Sequence, residues 1–134
     1  RRERTVAEMR RHLEAKRCEP AAIDAAVAEL EEQGYLDDAG YAQRFAEDRR
    51  ELDGWGAERI ARRLEAVGVG REEIAAACDA RDRDGELEAA VEILRRRFRV
   101  PPDNDRERER ALGMLVRRGY DLELAYDAVR SLAT

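Results

Sequence analysis

The stretch "RRHLEAKRCEPAAIDAAVAEL", Arg10 to Leu30, decides the fold, because the chain repeats it. Laid over "ARRLEAVGVGREEIAAACDAR", Ala61 to Arg81, it matches at a shift of 51 residues. Leu13 falls on Leu64, Glu14 on Glu65, Ala15 on Ala66, Ile23 on Ile74 and Val27 on Cys78. A further 51 residues on stands "LGMLVRRGYDLELAYDAVRSL", Leu112 to Leu132. There Leu115 takes the place of Leu13 and Leu64, Tyr120 that of Cys18 and Val69, and Val129 that of Val27 and Cys78. Three passes in register describe a helical unit of about fifty residues, used three times. The register predicts that Leu13, Leu64 and Leu115 are all buried. It also reads Cys18 and Cys78 as small core residues, since their sister positions are apolar.

Caps and periodicity resolve each copy into helices. Thr5 and Glu8 have capping-box spacing and open a helix to about Arg17. Pro20 suits the first turn of the next helix, whose apolar face is Ile23, Ala26, Val27 and Leu30, and Gly34 ends it. Asp37 or Asp38 caps a third helix with a buried stripe of Tyr41, Ala42, Phe45 and Leu52. After Gly54 the pattern restarts. Gly56 takes the N-cap, Trp55 staples onto Ile60, and Ile60, Ala61, Leu64 and Val67 face the core until Gly68. Helices of about Glu72–Arg81 and Gly85–Arg99 follow, "VPPDND" breaks the chain, and helices of about Asp105–Arg118 and Leu122–Leu132 finish it. The expected division is 1–35, 36–82 and 83–134.

Composition agrees. Charged residues are 43% of the 134 and aromatics 5%, with three prolines, so helices are favoured and strands poorly supplied. No apolar run approaches the ~20 residues that span a bilayer, and no secretory signal opens the chain, which reads as cytoplasmic. Two cysteines without metal spacing and the single His12 make neither a zinc site nor a nucleophile–base set. There is no phosphate-cradling glycine loop. The chain reads as a non-enzyme without cofactor.

The net charge of −5 hides blocks. Residues 1–19 sum to +3, 20–53 to −7, and 95–118 to +5, from nine arginines against four acids. Arginines of such helices often pair with an acid one turn away, as Arg44 and Asp48 would. "RRRFR", Arg95 to Arg99, has no adjacent acid. Arg95, Arg96 and Arg97 follow one another around a helix whose core stripe is Leu87, Ala90, Val91, Leu94 and Phe98, so about two of the three face solvent. Arg99 closes that helix, and Arg117 and Arg118 hold the equivalent end of the next. Brought together, these residues form a basic patch with few local acids. With Arg59, Arg62 and Arg63 they are the candidate partner-binding residues.

The motifs in order carry a resemblance. "GYLDD" at 34–38, "YAQRFAEDRR" at 41–50, "GWGAERIARRLEAVGV" at 54–69 and "LVRRGYDLELAYDAV" at 115–129 closely resemble the bacterial RecX regulatory proteins over essentially the whole chain. "RRERTVAEMRRHL" resembles the family's first repeat joined partway, without its opening helix. Gly40 departs from the larger residue usual in the family, and is expected to loosen the first turn of its helix by ~0.5–1 kcal/mol. The resemblance implies an all-α fold of tandem three-helix units in an elongated, curved array. It also implies a regulator that binds the RecA recombinase filament and restrains its ATPase, strand-exchange and co-protease activities, and with them DNA repair, recombination and the SOS response. It would act as a monomer, touching DNA inside the RecA–DNA complex. The second reading is a helical DNA-binding protein acting through its basic patches. An acidic chain with few aromatics for base stacking speaks against strong DNA binding of its own.

Overall fold

The computed structural model describes residues 3–133, which form eight α-helices and no strand. They are α1 (Val6–Ala15), α2 (Pro20–Glu32), α3 (Asp38–Asp48), α4 (Ala57–Ala66), α5 (Arg71–Asp79), α6 (Arg83–Arg97), α7 (Asp105–Arg118) and α8 (Leu122–Leu132). A π-helical turn, Arg49–Asp53, continues α3. The helices group around three cores. One holds Ile23, Val27 and Leu36. The second is built on Ile60, Leu64, Val67 and Val69 with Ala42 and Ala46 of α3. The third contains Ala90, Leu94, Leu115, Tyr120, Leu124 and Val129. Separate small cores leave much surface: 9087 Å² is accessible, against about 7,100 Å² for a compact protein of this mass.

The ends of α1, α4 and α7 follow one rule. The N–H of Cys18, Val69 and Tyr120 each reaches back to the carbonyl of Leu13, Leu64 and Leu115, at 3.2, 3.0 and 3.0 Å. The residue before each takes a left-handed turn: Arg17 (φ 62°), Gly68 (86°) and Gly119 (102°). These are Schellman closures at identical repeat positions.

The units are joined end to end. A helix begins with free N–H groups and ends with free carbonyls, and here one helix's surplus satisfies the next. The Thr5 hydroxyl, wholly buried, accepts the Glu8 N–H and donates to the Val67 carbonyl at 2.5 Å, while the Val6 N–H donates to the Asp38 carboxylate at 3.0 Å. One unit on, the Gly56 N–H donates to the Arg118 carbonyl (2.8 Å) and the Glu58 N–H to the Gly119 carbonyl (2.9 Å). The Ala57 N–H donates to the Glu86 carboxylate (2.7 Å). So α1 stands on the end of α4, and α4 on the end of α7, with dipoles head to tail. The second joint is the heavier one. Glu86 is buried and pairs with Arg81, and the Tyr120 hydroxyl crosses to the Gly54 carbonyl at 3.2 Å.

Several expectations are corrected. Leu64 and Leu115 are fully buried but Leu13 is only partly so. Among the described residues α2 is its main covering helix, whereas the cores around Leu64 and Leu115 each draw on three helices. For the same reason Cys18 is exposed while its sisters Val69 and Tyr120 are buried; Cys78 is half-buried. Leu52 is 72% exposed, because the π turn adds a residue to its ring and rotates Leu52 off the Phe45 stripe that Ala46 completes. Arg44 pairs with Glu3 across the chain rather than with Asp48. The α3 cap, expected at Asp37 or Asp38, is Asp37, its carboxylate accepting the Gly40 N–H at 3.0 Å. Asp82 caps α6 on the Gly85 N–H, which ends α5 at Asp79 and starts α6 at Arg83.

Candidate partner-binding surface

The arginines at the end of α6 divide. Phe98 turns into extended conformation, so α6 stops at Arg97 and Arg99 lies beyond it rather than closing it. The pair Pro101–Pro102 follows, which favours extended backbone before it. Arg95, Arg96 and Arg97 are all exposed. Arg95 and Arg99 flank a shallow depression of about 210 Å³ with Pro101 and Leu132. Arg96 and Arg97 turn toward the π turn of the second unit.

There they meet Arg118. The three line a groove of about 640 Å³ between the π turn, α6 and α7. The sequence led us to expect few acids at this place, and the groove holds three, Glu51, Asp53 and Glu92. Arg96 lies 3.4 Å from Glu92, one turn back along α6, and Arg118 donates to the Asp53 carbonyl at 3.3 Å. The groove is therefore mixed in charge, and Arg118 belongs to the joint as much as to the surface.

Arg117 goes the other way. It lines a second groove, about 420 Å³, with Arg97 and Phe98 of the α6 end and Arg106, Arg110 and Met114 of α7. Arg106 and Arg110 were not among the candidate residues, although their spacing puts them with Gly113 and Arg117 on one helix face. That row was the signal that could have found them. Arg59 stacks 4.2 Å from the Trp55 ring and donates to the Arg117 carbonyl at 3.4 Å, so it braces the second joint. Arg62 and Arg63 are exposed on α4 and line neither groove.

The titratable groups are structural in their surroundings. Burial raises the Asp38 carboxyl above its ordinary value, against the lowering pull of the Val6 N–H, with Glu31, Glu73 and Asp37 adding repulsion. Burial also pushes the Cys78 thiol up, and that thiol donates to the Ala57 carbonyl at 3.6 Å. A raised thiol is a poor nucleophile. Among the described residues no cluster of His, Cys, Asp and Glu could hold a metal ion, and no helix is long and apolar enough to cross a membrane.

The comparisons with known proteins fall on this architecture. Family models described as the first, second and third three-helix domains of RecX match residues 1–30, 37–77 and 84–129. A "Regulatory protein RecX" of Stenotrophomonas maltophilia (strain R551-3) is 38% identical over 122 residues, covering 90% of this chain and 74% of its own length. The chain belongs to the RecX family. Another member, from Leptothrix cholodnii, is 34% identical over 129 residues, 96% of this chain and 80% of its own. The crystal structure of RecX from Lactobacillus salivarius superposes with a TM-score of 0.84 at 18% identity, over 98% of this chain and 87% of that one. The shared RecX fold is thus an all-α array of three-helix domains, and curated relatives carry the name of regulators.

Proposed function

We propose that this protein is a non-enzymatic regulator of the RecA recombinase, binding the RecA filament and lowering its ATPase, strand-exchange and co-protease activities. That role places it in DNA repair, recombination and the SOS response, in the cytoplasm. The observation that carries the reading is the match of three RecX domains in order along one chain whose relatives are named regulatory proteins. The geometry supports it in a second way. Three small cores joined end to end give an extended surface, the form that repeat arrays use to lie along a large partner. We propose units at 1–35, 36–82 and 83–134 acting as one monomer, with contact through the arginines of the third unit: Arg95, Arg96, Arg97, Arg99, Arg117 and Arg118. DNA is touched within the RecA–DNA complex.

The test is hydrolysis of ATP by the cognate RecA on single-stranded DNA, titrated with this protein. At substoichiometric to near-equimolar amounts turnover falls, while the protein alone hydrolyses nothing. Unchanged RecA turnover would reject the reading, and intrinsic ATPase activity in a clean preparation would reject its non-enzymatic half.

A further inference from the structure

We infer that the groove between the end of α6 and the outer face of α7 is a docking site for a carboxylate-rich helical segment of a protein partner. α7 runs from Asp105, whereas the repeat register aligns the first residue of α4, Ala57, with Arg108. The third unit therefore carries an extra turn at this end. The N-terminal turns of α1 and α4 are spent on the unit that follows, as the Thr5 and Gly56 bonds show. The first turn of α7 makes no such bond among the described residues, being closed by Asn104 of its own unit. Arg106 and Arg110 project from this end of the helix, and both are exposed.

Four guanidinium groups line the groove, from Arg97, Arg106, Arg110 and Arg117, and none enters an ion pair among the described residues. Glu109 is the one acid in its lining. Gly113 stands on the same face of α7. Arg117 folds back across it, so that a β-carbon on Gly113 would lie 3.0 Å from the guanidinium. A side chain at Gly113 would therefore displace the Arg117 guanidinium from this position. Phe98 and Met114 supply apolar wall, and methionine adapts to irregular apolar partners. Arg106 and Arg110 stand about 6 Å apart along the axis, the spacing of carboxylates at i and i+4 on a facing helix.

Single-stranded nucleic acid fits this groove less well. The Phe98 ring, the one aromatic in the lining, already carries the Arg97 guanidinium 5.8 Å from its centre and is partly buried against the third core, so it is a poor platform for a base. The chain as a whole is negative, and repels a polyanion at long range. A short acidic segment needs only the local complement.

The inference rests on the RecA-regulator reading for the identity of the partner, and the experiment separates the two. The parent and R106E/R110E chains are titrated, by fluorescence anisotropy, against three labelled probes. The first is a helical peptide with glutamates one turn apart beside a row of leucines, the second its glutamine twin, and the third an oligothymidylate. The same two chains are then titrated into the RecA ATPase assay. The glutamate peptide should bind the parent about tenfold more tightly than its twin, the factor that two exposed ion pairs supply together. R106E/R110E should lose that preference and restrain RecA about tenfold less well, with unchanged helical circular dichroism. The groove assignment is overturned if the glutamine twin binds equally, or if R106E/R110E restrains RecA as well as the parent does. It is also overturned if the oligothymidylate outcompetes the peptide in the parent and not in the variant, which makes the groove a phosphate site. A parent that prefers the glutamate peptide yet leaves RecA turnover unchanged upholds the groove's chemistry and rejects the functional reading.

Discussion

The two joints solve one problem with different residues. Each must seat the free N–H groups of a helix start on the carbonyls of a helix end. Between the first and second units Thr5 stands off the Val67 carbonyl by the length of a hydroxyl side chain. Between the second and third, Gly56 occupies the same repeat position and its own N–H reaches the Arg118 carbonyl. A β-carbon on Gly56 would lie 2.6 Å from the Gly119 carbonyl, and one on Gly119 would lie 2.6 Å from the Arg59 nitrogen. Backbone meets backbone there. At the thinner joint a β-carbon on Gly68 would meet that of Ala7 at 2.3 Å, as one on Gly119 would meet that of Arg59, but the nearest backbone atom there, the Ala7 α-carbon, is 3.7 Å away. Glycine on both sides gives a tight joint, to which Glu86, Arg81 and Tyr120 are then added. Threonine on one side gives a lighter joint that depends on two side-chain bonds.

The largest effect should come from the tight joint. Gly119→Ala combines a left-handed φ of 102° with contact against the Arg59 backbone, which cannot step aside as a flexible side chain does. Strain of about 1–3 kcal/mol and overpacking of similar size put the expected loss at about 4 kcal/mol in urea unfolding. Thr5→Ala in the lighter joint removes a cap and a buried hydrogen bond and should cost about 1–2 kcal/mol. Equal losses would mean that the joints do not differ as their geometry says.

The cores sharpen the same contrast. Leu64 is fully buried on the unit that both joints hold, so Leu64→Ala should cost about 3 kcal/mol through its cavity. Leu13 occupies the sister position in the first unit, partly exposed, and Leu13→Ala should cost only about 1 kcal/mol. A loss under about half a kcal/mol at Leu64 would break the repeat register itself.

Much of this was legible from the chain. The sequence placed α7 and α8 at their observed ends, and the 51-residue register aligned Leu13, Leu64 and Leu115, which the structure closes alike. What escaped was long-range or locally irregular. Arg44 finds Glu3 only because the chain folds back, which no spacing rule contains. A π turn breaks the period on which the Leu52 expectation depended. Gly56 was read as an N-cap, and rightly, but the reason that no side chain fits there is a helix end 63 residues away. In the candidate surface the sequence named Arg96, Arg97 and Arg118, which do share a groove, but not the acids that share it with them. Arg106 and Arg110 were visible as a row on α7 and lost among the alternating charges of "DRERER".

The smallest effect tests what the joints demand of a helix end. Gly68 and Gly119 are each pressed by the start of another helix, but Arg17, their sister, is the one non-glycine residue with positive φ among the described residues. At Arg17 the Schellman bonds are intact, from Cys18 to Leu13 and from Arg17 to Glu14, so the left-handed turn is required by the closure alone. The three positions thus separate two demands that glycine usually meets together, conformation and close approach. A side chain in the left-handed region costs about 1–2 kcal/mol, and Arg17→Gly removes that strain. Glycine's greater freedom in the unfolded chain returns about 0.5–1 kcal/mol of the gain. The net expectation is stabilisation by about 0.5–1 kcal/mol, read as a rise in the urea midpoint at unchanged slope. Destabilisation would show that the Arg17 side chain holds the end of α1 through contacts that outweigh its backbone strain, and that this helix end is built differently from its two sisters.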